Sequence, residues 1–138
     1  ILVYTEHKRD SSTVILSQKK NINFVIKQYD LIKPLTKEIP NALRKKNPSL
    51  IAEIFKKHWI LKKKISNQMS NKEINNLYDF LIKKCNFLGG KLIGAGGGGF
   101  FLMITKNKQK TIKLLKKNSI NYLNFKVDNM GSRILKDL

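Results

Sequence analysis

The alternation of apolar and polar positions divides the chain into short strands and longer helices. Ile1-Leu2-Val3-Tyr4-Thr5 is an apolar, β-branched run that reads as a first strand. The polar turn Glu6 to Ser12 ends in good N-cap residues. Ile15, Gln18, Ile22, Val25, Tyr29 and Ile32 then step by three or four, which predicts one helix that Pro34 ends or bends. Leu35 to Arg44 is expected to be helical with a break at Pro40. Asn47-Pro48 predicts an N-cap and first helical position, opening a helix that runs to about Ser66. On that helix Leu50, Ile51, Ile54, Phe55, Leu61 and Ile65 share an arc, with His58 at its middle and Trp59 and Lys62 at its edges. Ser70 to Glu73 has the spacing of a capping box before Ile74, Leu77, Tyr78, Leu81, Ile82 and Cys85, the cleanest amphipathic helix in the chain. Two more strands, Lys91 to Ile93 and Phe100 to Thr105, flank a glycine cluster. A lysine-rich helix from Asn107 to Asn118 follows, with Ile112 and Leu115 inward, then a last strand Tyr122 to Val127 with Leu123, Phe125 and Val127 on one face. Met130 to Leu135 closes the chain.

Strand, several helices, strand, glycine loop, strand, helix, strand is the plan of an α+β domain: a ferredoxin-like split βαβ sheet with extra helices inserted in the first crossover. A chain of 138 residues suits one domain, residues 1–138. Ile1 already lies in a strand, so no leader is expected before the fold, and the chain reads as a piece of a longer protein. No run approaches the ~18 apolar residues of a membrane span. The single cysteine, Cys85, reads as a core residue, excludes an internal disulfide and fits a reducing cytoplasm.

Seven of the eight glycines lie between Gly89 and Gly99. Such a cluster needs positive φ or close approach of something to the backbone. Gly94, Gly96 and Gly99 spell G-x-G-x-x-G, but the dinucleotide fingerprint needs a helix to follow and here a strand follows. A Walker loop needs Lys and Ser/Thr after its last glycine, where this chain has Phe100 and Phe101. What remains is a glycine loop, Gly94, Ala95, Gly96, Gly97, Gly98 and Gly99, whose amides could form an anion-binding concavity between two strands.

Gly89-Gly90-Lys91-Leu92-Ile93-Gly94-Ala95-Gly96-Gly97-Gly98-Gly99-Phe100 resembles the third, C-terminal signature of the GHMP kinases, the superfamily of galactokinase, homoserine kinase, mevalonate kinase and phosphomevalonate kinase. His58 to Ser66 with Ile74 and Leu77-Tyr78 resembles the branch that includes the sugar and heptose 7-phosphate kinases. The resemblance covers roughly residues 1 to 135 and only the second half of such an enzyme. It implies the same α+β architecture, and transfer of the γ-phosphoryl of ATP, with Mg2+, to a hydroxyl of a sugar or sugar phosphate, D-glycero-D-manno-heptose 7-phosphate being the best guess. It also implies that Gly94 to Gly99 packs beside a nucleotide-phosphate loop supplied by an N-terminal half. That loop, with its Gly-Leu-Gly-Ser-Ser core, and the catalytic aspartate belong to the half absent here, so the fragment alone is expected to be inactive. Arg9 and Ser12 match an Arg-x-x-Ser pattern after the first strand, although Glu6-His7 departs from the small residues expected there. Arg9 and Lys62 are the candidate anion contacts. No carboxylate, Glu6, Asp10 and Asp79 included, sits in a catalytic or metal-ligand motif, and His58, without a second histidine or cysteine cluster, reads as structural.

A net charge of +19, carried mostly by scattered lysines, would draw in anionic substrates and bind nucleic acid weakly and nonspecifically at low salt. A specific nucleic-acid reader would favour arginine, of which there are few. The competing reading is a basic ferredoxin-like RNA-binding module. Its third strand should carry aromatics two apart on one open face, whereas Phe100 and Phe101 are adjacent, and inserted helices are expected to cover the sheet.

Overall fold

In the computed structural model, residues 1–8, 10–19, 22–128 and 130–131 are described. The chain runs β1 (Leu2–Tyr4), α1 (Ser11–Lys19), α2 (Ile22–Arg44), α3 (Pro48–Ile65), α4 (Lys72–Lys84), β2 (Gly89–Leu92), β3 (Phe100–Ile104), α5 (Lys108–Lys117) and β4 (Tyr122–Leu123). The strands form one antiparallel sheet in the order β2-β3-β1-β4. Helices α1 to α4 fill the first crossover and α5 the second, so the expected split βαβ plan with inserted helices is the fold found.

Alternation decides which sheet face is inside. Val3, Phe101 and Met103 are buried, while Leu2, Tyr4, Phe100, Leu102 and Ile104 turn to the other face and are half-buried. The buried set packs with Trp59 of α3, Ile74 and Leu81 of α4, and Leu115 of α5, so these helices cover one face of the sheet and not both. Trp59 meets Phe101 edge to face at 5.6 Å between ring centroids, and Tyr78 packs on both rings. Trp59, expected at the edge of its stripe, is thus at the centre of the core, because the sheet lies toward that side of α3. The β2 strand begins two residues earlier than expected, at Gly89, where a Cβ would stand 2.5 Å from the carbonyl oxygen of Ala52. Glycine there lets α3 lie directly against the sheet edge.

A second core joins the inserted helices: Val14, Val25, Ile32, Ile65 and Met69, with Leu61 and Ala95 against it. The stripe expected on one helix that Pro34 ends or bends falls on α1 and α2, and α2 runs through both Pro34 and Pro40. Both prolines are exposed, so the carbonyls they leave without an amide partner face water. Of the expected stripe only Val25 and Ile32 are buried; Ile15, Ile22 and Tyr29 are exposed, and Val14 takes the inward place on α1. The capping box is also replaced: Asn71, not Ser70, is the N-cap of α4, its Oδ1 accepting from the Ile74 amide at 2.8 Å, while Glu73 faces His7 at 3.6 Å. The cap at Asn47 stands where it was expected, and Asn107, expected as the start of the lysine-rich helix, is the N-cap of α5. Thr111 rather than Ile112 is the fully buried partner of Leu115 on α5. The last strand stops at Leu123, and Phe125 and Val127 are exposed, because only Leu2 and Val3 offer it a pairing edge. Arg9 and residues 132–138 lie outside the described residues.

Gly89→Ala should therefore lower stability by about 1–3 kcal/mol, because the new methyl group must displace helix backbone and not a flexible side chain. Urea unfolding followed by Trp59 fluorescence measures this; an unchanged midpoint would mean that α3 does not depend on the close approach.

Candidate functional site

The glycine loop between β2 and β3 is tied down at three places. The Gly97 amide donates to the Met69 carbonyl and the Gly99 amide to the His7 carbonyl, each at 2.9 Å. Thr5 grips the Gly99 carbonyl with both its amide and its Oγ1, each at 2.9 Å. Lys62 on α3 reaches the Gly94 carbonyl with its ammonium at 2.6 Å. Gly96 has φ 117°, and a Cβ there would meet the Met69 sulfur at 2.6 Å, so both conformation and space require glycine. The loop is a fixed wall and not a floppy hairpin. Because Gly97 and Gly99 spend their amides inside the protein, the loop cannot offer all of its amides to an anion.

This wall separates two cavities. One, of about 410 Å³, lies between α1–α2 and β2, with Gln18, Tyr29, His58, Lys62 and Lys91 around Gly94-Ala95. The other, of about 440 Å³, runs along the far side of the loop from Gly94 to Gly99, opposite Tyr4, His7, Lys8 and Ser11. No described carboxylate lines either cavity.

The first cavity is cationic by construction. His58 and Lys62 are one helical turn apart on α3 and share a face. Lys91, on the edge strand β2, reaches back to α3, its ammonium 5.5 Å from the centre of the Phe55 ring and 3.5 Å from His58 Nε2. With Lys91 donating, Nε2 accepts, the ring proton sits on Nδ1, and Nδ1 is buried with no described partner. Burial, then the Lys91 and Lys62 charges, push the His58 pKa down to about 4, so the ring is neutral at pH 7. Burial, then Lys91, lower Lys62 to about 8, and burial lowers Lys91. The described ion pairs, His7–Glu73, Lys33–Asp30 and Lys57–Glu53, involve none of the three.

Of the residues singled out in the sequence, Lys62 and Gly94 to Gly99 come together here, and Arg9 lies outside the described residues. Lys91 was missed, and His58 was read as structural alone. The signal was a single lysine between glycines and apolar residues in a strand, too brief to carry a period. Among the described residues no group of three or more His, Cys, Asp or Glu gathers as a metal site. No helix among them is long and apolar enough to cross a membrane.

The His58 ring sets a pH dependence. Its folded pKa lies below the ordinary 6.5, so between pH 6.5 and 4 the unfolded chain binds the extra proton and stability falls as pH falls. The half-exposed ring reduces the loss to about 1–2 kcal/mol. Urea midpoints across that window should decline less in His58→Gln than in the parent; parallel curves would show that the ring does not carry the effect.

Comparison with known proteins agrees with the fold and the loop. A family model described as GHMP kinases C terminal matches residues 40–123, a span that holds α3, α4, β2, the glycine loop, β3, α5 and β4. The bifunctional fucokinase/GDP-fucose pyrophosphorylase of Arabidopsis thaliana is 29% identical over 92 residues, 67% of this chain and 8% of that protein. Among solved structures, L. major mevalonate kinase in complex with R-mevalonate superposes with a TM-score of 0.70 at 19% identity, over 84% of this chain and 37% of that one. The Lin0012 protein of Listeria innocua gives 0.74 at 18% identity, over 91% and 38%. This chain thus spans less than two-fifths of each of these proteins. By its sheet order, its pinned glycine loop and the family match across most of its length, the chain belongs to the GHMP kinases as their C-terminal domain.

Proposed function

We propose that this chain, residues 1–138, is the C-terminal, substrate-cleft half of an ATP-dependent kinase that phosphorylates a sugar or sugar phosphate, with D-glycero-D-manno-heptose 7-phosphate as the acceptor. The observation that carries the reading is the glycine loop held rigid between Met69 and His7, with a cationic cavity on one side and an open one on the other. The fucokinase relative supports a sugar acceptor, and the resemblance of residues 58 to 78 supports the heptose branch.

In this reading ATP and Mg2+ are held mainly by an N-terminal half that closes over the loop. Mg2+ takes oxygen ligands, one or two carboxylates with waters and substrate phosphates, and neither cavity offers a described carboxylate, so its protein ligands are assigned to that half. ATP supplies the transferred phosphoryl group. This chain's own residues position and shield: Gly94 to Gly99 let phosphates approach without side-chain obstruction, Lys62 holds the loop through Gly94, and Thr5 anchors its far end. Catalysis by positioning and electrostatics needs no acid or base from this half. A cytoplasmic setting belongs to the same reading and rests on the single, buried Cys85. Weak, salt-sensitive binding to nucleic acid follows from the +19 charge. A dedicated RNA-binding role is not favoured, because Phe101 is consumed in the core and the open-face positions that follow Phe100 on β3 are Leu102 and Ile104.

Supplying in trans an N-terminal half with a Gly-Leu-Gly-Ser-Ser loop should give phosphoryl transfer from ATP to heptose 7-phosphate, with neither half active alone. Gly96→Val, which pushes the loop off Met69, should lower kcat by about 100-fold. A mixture that assembles yet transfers phosphate to no sugar or sugar phosphate would overturn the kinase reading; transfer to another sugar would overturn the heptose assignment alone.

A further inference from the structure

The cavity between α1–α2 and β2 holds two lysines that no described residue in its walls neutralises. Lysines at a surface normally snorkel to water. Lys62 and Lys91 are instead tethered: one ammonium is bound to the carbonyl of the exposed Gly94, the other lies against His58 and the Phe55 ring, and both residues are half-buried. They come from different elements, α3 and β2, and line the same space. Each tether uses one of three ammonium protons, leaving donors for a ligand. The tethers also fix the side chains beforehand, which removes much of the ordering cost of binding.

We propose that this cavity seats an anionic group that the acceptor carries before the reaction, a phosphoryl group, with Lys62 and Lys91 as its counter-charges. The word acceptor rests on the kinase reading above; the anion site itself does not. Two further features fit a phosphorylated sugar. The volume, about 410 Å³, suits a small metabolite, and the cavity's other polar groups are neutral. The Tyr29 hydroxyl donates to Gln18 Oε1 at 3.2 Å, which leaves the Gln18 amide group to donate to sugar hydroxyls. The loop wall gives the site its logic: Gly94 and Ala95 face both cavities, so an anion on Lys62 and Lys91 lies across the loop from the cavity left for the phosphoryl donor. The group held by the lysines is then not the group transferred.

The test is a titration of the 138-residue chain with inorganic phosphate, followed by amide NMR. Shifts should concentrate at Leu92 to Ala95 and saturate. The double variant Lys62→Met/Lys91→Met keeps the aliphatic stems, and should weaken binding by at least about tenfold. Lys113→Met, an exposed lysine on α5, should leave it unchanged. A urea midpoint of the double variant no lower than the parent's establishes that it is folded; if it falls, Lys62→Arg and Lys91→Arg, which keep the charge, must retain binding for the proposal to stand. Glucose 6-phosphate and heptose 7-phosphate should displace phosphate, and the unphosphorylated sugars should not. Displacement by a non-hydrolysable ATP analogue but by no sugar phosphate would assign the site to the nucleotide and overturn the proposal. Shifts scattered over exposed lysines, or a double variant that binds as well as the parent, would also overturn it. The titration needs no N-terminal half, so a retained anion site with a failed reconstitution sinks the kinase reading alone. An active reconstitution without the site sinks this inference alone.

Discussion

The contact on which the rest of the structure depends is the one between the backbone of α3 at Ala52 and the strand β2 at Gly89. From that point helix and strand both lead to the loop, and their lengths agree. Ala52 to Lys62 is ten residues at ~1.5 Å, about 15 Å of helix. Gly89 to Gly94 is five residues, β2 and its continuation through Ile93, at most ~3.3 Å each, about 17 Å. Two elements of different pitch thus arrive at the same place, where the Lys62 ammonium meets the Gly94 carbonyl. A residue with a side chain at Gly89 would lift the helix from the strand, and the site would lose its alignment at the far end of the lever. The same docking presses Trp59 onto Phe101, so core packing and site geometry come from one contact.

The glycine cluster has more than one duty. Gly89 admits the helix, while Gly96 admits Met69, which belongs to the second core formed with α1 and α2. That core reaches the loop again through Ala95, and the Ser17 and Ser66 hydroxyls, 2.6 Å apart, tie α1 to the end of α3. The inserted helices are therefore part of the site's scaffold, since they close the cationic cavity on the side away from the sheet.

What could be read in the sequence follows from how strongly burial patterned it. Helix α4 packs one face on the sheet, and the expected Ile74, Leu77, Tyr78, Leu81, Ile82 and the C-cap Cys85 all meet the core, joined by Phe80 from outside the stripe. The order of elements along the chain followed from short apolar runs and the glycine loop between them. Helices α1 and α2 were not legible at that level, because they carry apolar residues on exposed as well as buried faces: Ile15, Ile22, Ile26 and Leu31 imitate or blur the stripe that Val14, Val25 and Ile32 form. Pro34 and Pro40 read as breaks because propensity counts lost amides, whereas an exposed helix leaves the freed carbonyls to water. Ser70-x-x-Glu73 misled for a local reason: Asn71 is an equally good cap one residue on, and it won. Of the candidate residues, Lys62 was singled out by its place at the edge of the α3 stripe together with the family resemblance, and the glycines by their number. The pairing of Lys91 with His58 was not, because it joins positions thirty-three residues apart through the edge of a sheet.

The placement of charge follows from the same separation of tasks. Carboxylates able to hold a divalent cation would quench Lys62 and Lys91 if they shared the cavity, and a neutralised lysine pair would not distinguish a charged ligand from a neutral one. With the acids kept away, the two half-buried ammonium groups keep their charge without a described carboxylate partner, and in the proposed reading an anion supplies the counter-charge that a neutral sugar does not. A polar group left unpaired in a partly buried site penalises the wrong ligand more severely than a missing apolar contact does. In the proposed reading, selectivity for a phosphorylated acceptor comes from the two lysines that only an anion can pair, and the loop wall keeps them apart from the cavity proposed for the donor.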